Sequence, residues 1–174
     1  MTPAVTLEAV KPDDMPAFKQ RMQEAFTRAA REAFPDFPEL IPPERDIDES
    51  LAAAGAEALQ IVCDGKPVGG AIVTGEGASK LLDFIFVDAE HQDRHLGLAA
   101  WNAIEARYPE ATHWELVTPY HEKRNIHFYV NRCGFKITEY YNDRHPDPNY
   151  PQDEAGDYPG EDGGLLKFEK EIAR

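Results

Sequence analysis

The chain has 174 residues, of which 42% are hydrophobic and 29% are charged, so it is long enough to bury a core and has the composition of an ordinary globular protein. Its net charge of −14 argues against a nucleic-acid partner, because phosphates would be repelled. No apolar run approaches the roughly 20 residues of a membrane span, and the N-terminal stretch lacks a basic n-region and an apolar h-region. We therefore expect one domain over residues 1–174, no membrane partner and a cytoplasmic location.

The first half of the chain predicts a strand, two helices and a hairpin. Residues 4–10 alternate as a strand does, and apolar residues recur at helical spacing over residues 15–34. A Pro-rich acidic connector then leads to a short helix near residues 49–54. Two strands follow at residues 58–64 and 68–76, and the turn between them contains Gly65.

The second half predicts strands at residues 80–87, 112–118, 135–141 and 164–172, with helices at 98–108 and 122–133. Gly134 is expected to end the second of these helices in a left-handed conformation. The complete order is βααβββαβαββ, which is typical of a mixed α/β (α+β) fold with a mostly antiparallel sheet. One βαβ crossover, around the helix at 98–108, is expected to place two parallel strands side by side.

The start of that helix has the composition of a phosphate site. A helix N-terminus presents unpaired backbone N–H groups and a partial positive charge, Gly97 permits close backbone approach, and Arg94 and His95 add polar or positive side chains. Taken alone, the spacing fits a turn without a ligand better. The stretch lacks the Gly-Lys-Ser/Thr ending of a P-loop and the three glycines of a dinucleotide site.

Two blocks in the right order resemble the GNAT (Gcn5-related N-acetyltransferase) superfamily. The first is "LLDFIFV", "RHLGLA" and "WNAIEARY", which matches a strand, Arg/Gln-x-x-Gly-x-Gly/Ala and a helix. The second is "WELVT", "NIHFYVNRCGF" and "KITEYY", a strand, a helix with an aromatic pair, and Gly-Phe before another strand. The resemblance covers roughly residues 65–141 and implies an acetyl-CoA-dependent N-acetyltransferase with a GNAT-like fold.

The resemblance also implies which residues bind acetyl-CoA. The pyrophosphate would be bound by the backbone of the loop and helix start, and the end of the preceding strand would pair with the pantetheine arm. At that end, the amide of Val87 would stabilise the oxyanion of the tetrahedral intermediate, with Ala89 close by. The residues implied for the loop and helix start are Arg94, His95, Leu96, Gly97, Leu98, Ala99 and Ala100.

The resemblance implies two catalytic residues. Asp83 lies where one branch of the family places a catalytic glutamate, and by period 2 it should share a face with Ile85 and Val87. An ordinary strand-edge carboxylate is the alternative. Tyr129 is the expected proton donor to the thiolate, although four residues separate it from Gly134 where the family usually has three.

That spacing leaves the helix register open. Either the helix carries an extra residue or Tyr129 is a core residue and Val130 occupies the family position. Tyr120 and Cys133 are the alternative proton donors. Asn125, one turn before Tyr129, is a further expected pantetheine contact.

No metal site is expected, because the spacing of the histidines fits none, and surface or capping roles are the better interpretation. These histidines are His91, His95, His113, His121, His127 and His145. Trp101 and Trp114 are expected to pack in the core. The two cysteines, Cys63 and Cys133, are expected to be reduced.

The resemblance implies that the acceptor is a small amine or peptide, whose identity is not encoded in the two blocks. Residues 35–49 carry six acidic side chains against one arginine, and residues 142–163 carry seven against one. The resemblance places both segments beside the acceptor, which makes a cationic amine attractive, although solvated acidic loops would explain the same composition. A homodimer is frequent in the family. The alternatives in function are a non-catalytic CoA sensor or complex subunit and, less well supported, a phosphate-binding protein unrelated to CoA.

Overall fold

A computed structural model describes residues 3–149 and 164–173, with Asp93 and Arg94 described by their backbone alone. Seven strands form one sheet in the order β1-β2-β3-β4-β5-β7-β6. Only the β4–β5 pair is parallel. The strands are β1 (Val5–Ala9), β2 (Glu57–Cys63), β3 (Lys66–Thr74), β4 (Ser79–Val87), β5 (His113–Pro119), β6 (Lys136–Tyr141) and β7 (Leu165–Glu171). The α-helices are α1 (Met15–Ala33), α2 (Glu44–Ala52), α3 (Leu96–Arg107) and α4 (Lys123–His127).

The predicted order of elements, the mostly antiparallel sheet and the single parallel crossover are confirmed. Helices cover the two faces of this sheet. On one face, which we call the α3/α4 face, Trp101 of α3 and Trp114 of β5 pack edge to face at 5.1 Å and are almost fully buried. On the other, the α1/α2 face, Phe18 and Met22 of α1 and Ile47 of α2 are buried on β3 and β4. Within the described residues, no helix is both long and apolar enough to cross a membrane.

Three of the differences from the sequence prediction concern helices. α2 begins at Glu44, just after two prolines, and its first turn carries acidic residues, which a helix N-terminus favours. α3 begins at Leu96, so Gly97 lies within its first turn. The segment predicted as a loop before it is a 3₁₀ helix, Ala89–Arg94.

A β-bulge in β4 changes which face Asp83 occupies. Phe84 pairs with Ile72 and Leu82 pairs with Val73, so Asp83 is an extra residue in β4. Leu82 packs on the α3/α4 face, whereas Asp83 hydrogen-bonds to Ser50 of α2 on the opposite face.

Ile85 and Val87 return to the α3/α4 face, beside Leu96 and Ala100. The prediction that Asp83 shares a face with Ile85 and Val87 is therefore wrong. The strict alternation on which it rested is broken by the bulge.

Candidate active site

The sheet opens between β4 and β5. Ser79, Lys80 and Leu81 pair with residues 113–115 of β5, and the two strands form no further pairs with each other. From residue 82 onward, the side of β4 that faces β5 therefore has no strand partner from β5. An extended ligand with amide groups can pair with such a strand edge. We call this gap the β4–β5 cleft.

The N-terminus of α3 follows the end of β4 through the 3₁₀ helix. His95, its N-cap residue, has φ +56° and makes no side-chain capping hydrogen bond. A 12-residue helix that starts in this way presents backbone N–H groups and the positive end of its dipole to an anion.

The side chains at this helix start face two ways. Leu96, Ala99 and Ala100 are buried in the core, so any ligand contact from them is made by backbone. His95 is exposed, and Leu98 is half-buried against the main core. The side chain of Arg94 lies outside the described part of the structure, so its expected contact with a pyrophosphate stays a prediction.

Gly97 has a packing role that sequence analysis missed. A Cβ at this position would lie 3.3 Å from two ring atoms of Phe128, tighter than an ordinary contact. The first turn of α3 can therefore approach the aromatic ring because residue 97 has no side chain. In the sequence, the aromatic pair Phe128–Tyr129 was the signal that could have indicated this packing.

The end of β4 directs its backbone toward the cleft. The amide of Asp88 donates to Val68 O on β3 at 2.9 Å. Because successive amides of a strand point in opposite directions, the Val87 N–H points away from β3, toward β5. The Val87 carbonyl accepts a 3.3 Å hydrogen bond from the Gln92 side chain, and Ala89 begins the 3₁₀ helix.

Arg21 of α1, which sequence analysis did not single out, contacts the residue after β4 from the α1/α2 face of the sheet. Its guanidinium donates to both carboxylate oxygens of Asp88, at 3.2 and 2.8 Å, and to the Gln60 side chain at 2.9 Å. It also lies over the ring of Phe86, 5.7 Å from the centroid. The bidentate pair holds the residue that directly follows Val87.

Asp83 lies in the part of β4 that borders the cleft, and one oxygen of its carboxylate accepts two hydrogen bonds. Ser50 Oγ donates to Asp83 Oδ2 at 2.6 Å, and Thr74 Oγ1 donates to the same oxygen at 3.3 Å. Desolvation raises the pKa of Asp83 above its ordinary value, although these two hydrogen bonds oppose the shift. The residue is nevertheless exposed to solvent. A carboxylate that is surrounded by protein and still open to solvent suits a general base.

Tyr129 lies just after α4, in a turn of π-helix spanning Phe128–Arg132. The Cys133 amide donates to Phe128 O, five residues earlier, and Gly134 follows with φ +85°. This turn accommodates the extra residue between Tyr129 and Gly134. Because an i→i+5 turn holds one residue more than an i→i+4 turn, Tyr129 keeps the angular position that three intervening residues would give.

Tyr129 is also a core residue. Its side chain is 8% exposed and packs against Phe128, Phe135 and Phe168. Burial raises the pKa of its phenol, which therefore stays protonated at neutral pH, as a proton donor requires. Both possibilities left open by the sequence, an extra helical residue and a buried Tyr129, are found together.

The other expected residues near Tyr129 lie in different surroundings. Cys133 is buried, and burial raises the pKa of its thiol to about 12. Tyr120 is 47% exposed, and the Lys123 ammonium lies 3.4 Å from its ring centroid. Asn125 is half-buried on α4, and its contact with pantetheine stays a prediction.

One cluster of potential metal ligands was missed because its members come from two strands. His113, Glu115 and Glu169 each offer a ligand atom, and these atoms lie within 4.8 Å of one another. Glu171 contacts Nδ1 of the same imidazole. Lys167 lies 3.6 Å from Glu115 and 3.9 Å from Glu169, so the carboxylates already have cationic partners on this open sheet face.

The acidic connector is partly neutralised. Lys19 of α1 contacts Asp48 at 2.5 Å and Glu44 at 3.4 Å. The net negative charge of the surface around this segment is therefore smaller than the segment's own sequence indicates. Of the second acidic segment, residues 150–163 lie outside the described residues, and its predicted place beside the acceptor stays a prediction.

The mixed sheet that opens between β4 and β5, beside a helix start without a side-chain cap, matches the fold of GNAT acetyltransferases. The acetyltransferase (GNAT) family model matches residues 19–135, and the chain belongs to this family. A Bacillus subtilis (strain 168) protein described as "Uncharacterized protein YrkN" is 47% identical over 150 residues, which cover 84% of this chain and 81% of that protein.

Solved structures share the fold at low sequence identity. A GNAT family acetyltransferase from Elizabethkingia anophelis with acetyl-CoA bound aligns with a TM-score of 0.67 and 13% identity, over 97% of this chain and 98% of the other. The ribosomal-protein-S18-alanine N-acetyltransferase from Escherichia coli aligns with a TM-score of 0.65 and 18% identity, over 98% and 95%.

Proposed function

We propose that the protein transfers the acetyl group of acetyl-CoA to a primary amine by direct attack. The observation that carries the proposal is the β4–β5 cleft, which opens beside the uncapped start of α3. The helix start would bind the pyrophosphate, and the unpaired edge of β4 would bind the amides of the pantetheine arm. Acetyl-CoA-bound and N-acetylating proteins with this fold support the same assignment.

In this reaction the amine nitrogen bonds to the acetyl carbonyl carbon and the carbon–sulfur bond breaks. The Val87 N–H would stabilise the oxyanion that develops on the carbonyl oxygen. Asp83 would take the proton from the amine, directly or through one water. Tyr129 would deliver a proton to the departing thiolate, and the products would be an acetamide and CoA.

Asp83 lies on the α1/α2 face of the sheet, whereas Ile85 and Val87 lie on the α3/α4 face. We infer that acetyl-CoA and the amine approach the cleft from opposite faces. The acceptor would then meet Asp83 from the α2 side. A cationic amine remains the acceptor we propose, although the Lys19 contacts reduce the acidity on which that expectation rested.

The CoA assignment can be tested with a pair of variants at one exposed position. His95→Asp and His95→Asn both place a residue that tolerates the left-handed conformation at the N-cap, and they differ by one negative charge. If a pyrophosphate binds at the helix start, we expect the Asp variant to bind CoA at least about tenfold more weakly than the Asn variant. Isothermal titration calorimetry with CoA measures this difference.

Equal affinities of the two variants, with both folded, would exclude the helix start as the CoA site. A thiol-release screen over cationic, neutral and anionic amines then tests turnover. If a cationic amine is the acceptor, its advantage should shrink as salt rises.

One observation favours a second candidate function, a CoA sensor without turnover. The phenol of Tyr129 is enclosed by three aromatic rings, which is also what a purely structural tyrosine would show. Calorimetric CoA binding without thiol release for any amine would support the sensor.

A further inference from the structure

A serine on α2 holds the carboxylate that we propose as the base. Ser50 Oγ lies 2.6 Å from Asp83 Oδ2, 33 residues apart in the chain. Ser50 is 8% exposed and Thr74, the second donor, is 4% exposed. Both residues are therefore largely shielded from water. The 2.6 Å hydrogen bond of Ser50 has the length of a strong, charge-assisted bond to a carboxylate, whereas the Thr74 bond, at 3.3 Å, is weaker.

The two hydroxyls use the same carboxylate oxygen. Both donate to Oδ2 of Asp83, and no described residue hydrogen-bonds to Oδ1. Asp83 as a residue is exposed, so we assign Oδ1, the carboxylate oxygen without such a partner, as the one that meets an acceptor amine or a bridging water. The carboxylate is thus oriented by one oxygen and available by the other.

No charged group accounts for the state of this carboxylate. Burial and the two hydroxyls are the influences on its titration, with no contribution from a charged side chain of the described residues. The nearby charges of α2 at Glu44 and Asp48 contact Lys19 instead. Burial is the larger influence and raises the pKa of Asp83, and the two neutral donors oppose it, with Ser50 the stronger of the two.

We propose that Ser50 is a positioning residue, whose hydroxyl orients the Asp83 carboxylate so that Oδ1 receives the proton of the acceptor amine. The catalytic part of this proposal rests on the proposed function. The coupling between α2 and β4 is a property of the protein without substrates, so it can be measured separately. α2 thereby both covers the sheet and orients the carboxylate of the proposed base, Asp83.

The first test is a titration that needs no acceptor. Aspartate carboxyl carbons are labelled with ¹³C, and the Asp83 signal is assigned by its loss in Asp83→Asn. A hydroxyl that donates to a carboxylate favours the charged form. We expect Ser50→Ala to raise the apparent pKa of Asp83 by about one unit, a tenfold change in proton affinity.

Three further variants control this titration. Ser50→Thr keeps the hydroxyl and should restore the wild-type value. Thr74→Val removes the longer, 3.3 Å hydrogen bond and should give a smaller rise, which also tests the arrangement if Ser50→Ala does not fold. Thr27→Ala removes a buried hydroxyl that bonds to Ile41 and should leave the Asp83 titration unchanged.

The second test uses an acceptor identified in the amine screen. The acid limb of the pH profile of kcat/KM should move to higher pH in Ser50→Ala by the same shift that NMR records, and Ser50→Thr should reverse it. An unchanged Asp83 titration in a folded Ser50→Ala protein would overturn the proposal, even if Asp83→Asn abolishes turnover. An NMR shift without a shift in the rate profile would also overturn it.

Failure of the proposed function has a different signature. No CoA binding and no thiol release would remove acetyl transfer altogether, while the titration would still report whether Ser50 orients Asp83.

Discussion

The two sides of the β4–β5 cleft are built in different ways. On the side where we propose that CoA binds, the CoA side, β4, the 3₁₀ helix and α3 follow one another within residues 79–107, so one continuous stretch forms the helix start. On the side where we propose that the acceptor binds, the acceptor side, Asp83 meets Ser50 of α2 and Thr74 of β3. A binding site made of contiguous backbone can be predicted from sequence, whereas a carboxylate tuned by distant hydroxyls depends on the tertiary structure.

The largest expected effect that separates the two sides comes from removing the proposed base. Asp83→Asn keeps an oxygen that can accept from Ser50 but cannot take a proton from an amine at neutral pH. We expect kcat/KM for the acceptor to fall by about 10²–10⁴-fold, with CoA affinity unchanged. Steady-state kinetics and calorimetry measure the two effects. A loss of CoA affinity as large as the loss of rate would mean that the two sides are not separable.

The same substitution has an expected effect on stability. Because the folded-state pKa of Asp83 is raised, ionisation of this group opposes folding as pH rises through that value. Asp83→Asn should therefore be more stable than the wild type at pH 7, and the gain should vanish at acidic pH, where both side chains are neutral. A variant less stable at pH 7 would contradict the raised pKa.

An ion pair between residues distant in the chain supports the proposed CoA side, and breaking it tests how far that side depends on non-local contacts. Arg21 and Asp88 lie 67 residues apart, and their side chains are 25% and 14% exposed. Arg21→Met keeps an unbranched apolar side chain but removes the guanidinium from Asp88 and from the ring of Phe86. We expect a loss of about 2–3 kcal/mol in the free energy of unfolding, less than for a fully buried pair, and weaker CoA binding.

Urea denaturation measures this loss, and a control is available on the same helix. Lys19→Met removes ion pairs to exposed carboxylates and should cost less than about 1 kcal/mol. The double variant Arg21→Met/Asp88→Asn should be less destabilised than the sum of the single changes. Equal losses for Lys19→Met and Arg21→Met would mean that the Asp88 pair has no special role.

Particular residues show where prediction from sequence ended. The order of strands and helices followed from hydrophobic periodicity and turn residues, and the helix start was placed within two residues. The bulge at Asp83 could not be predicted, because it is set by how β4 pairs with β3. The Arg21–Asp88 pair left no sequence signal, whereas the four residues between Tyr129 and Gly134 were a real signal of the π turn.

Tyr129 is the proton donor that we propose, and its hydroxyl can be removed alone. The thiol of CoA is a good leaving group, with a pKa near the ~8.5 of a cysteine thiol, so a proton donor contributes less than the base does. We expect Tyr129→Phe to lower turnover by about tenfold and to leave CoA affinity within twofold. Full turnover in this variant would make Tyr129 a packing residue.

The smallest expected effect lies at His113 of β5, whose ring contacts carboxylates of β5 and β7. Burial lowers the pKa of His113, but its contacts with Glu115 and Glu171 outweigh this, and the net pKa is raised. A raised folded-state pKa means that the protonated imidazole stabilises the fold. This stabilisation is fully present below the unfolded value of about 6.5 and is lost as pH rises through the folded value.

His113→Asn should therefore be less stable than the wild type at pH 6, and the difference should narrow toward pH 9. Added salt should reduce it at pH 6, because the imidazole is partly exposed to solvent. His127→Asn, at a position whose ring hydrogen-bonds to Asn131, is the matched control for the loss of a histidine ring. The comparison is made by urea denaturation of the three proteins between pH 5.5 and 9. A difference that stays constant over this range would mean that His113 acts through packing and neutral hydrogen bonds, with no contribution from its charge.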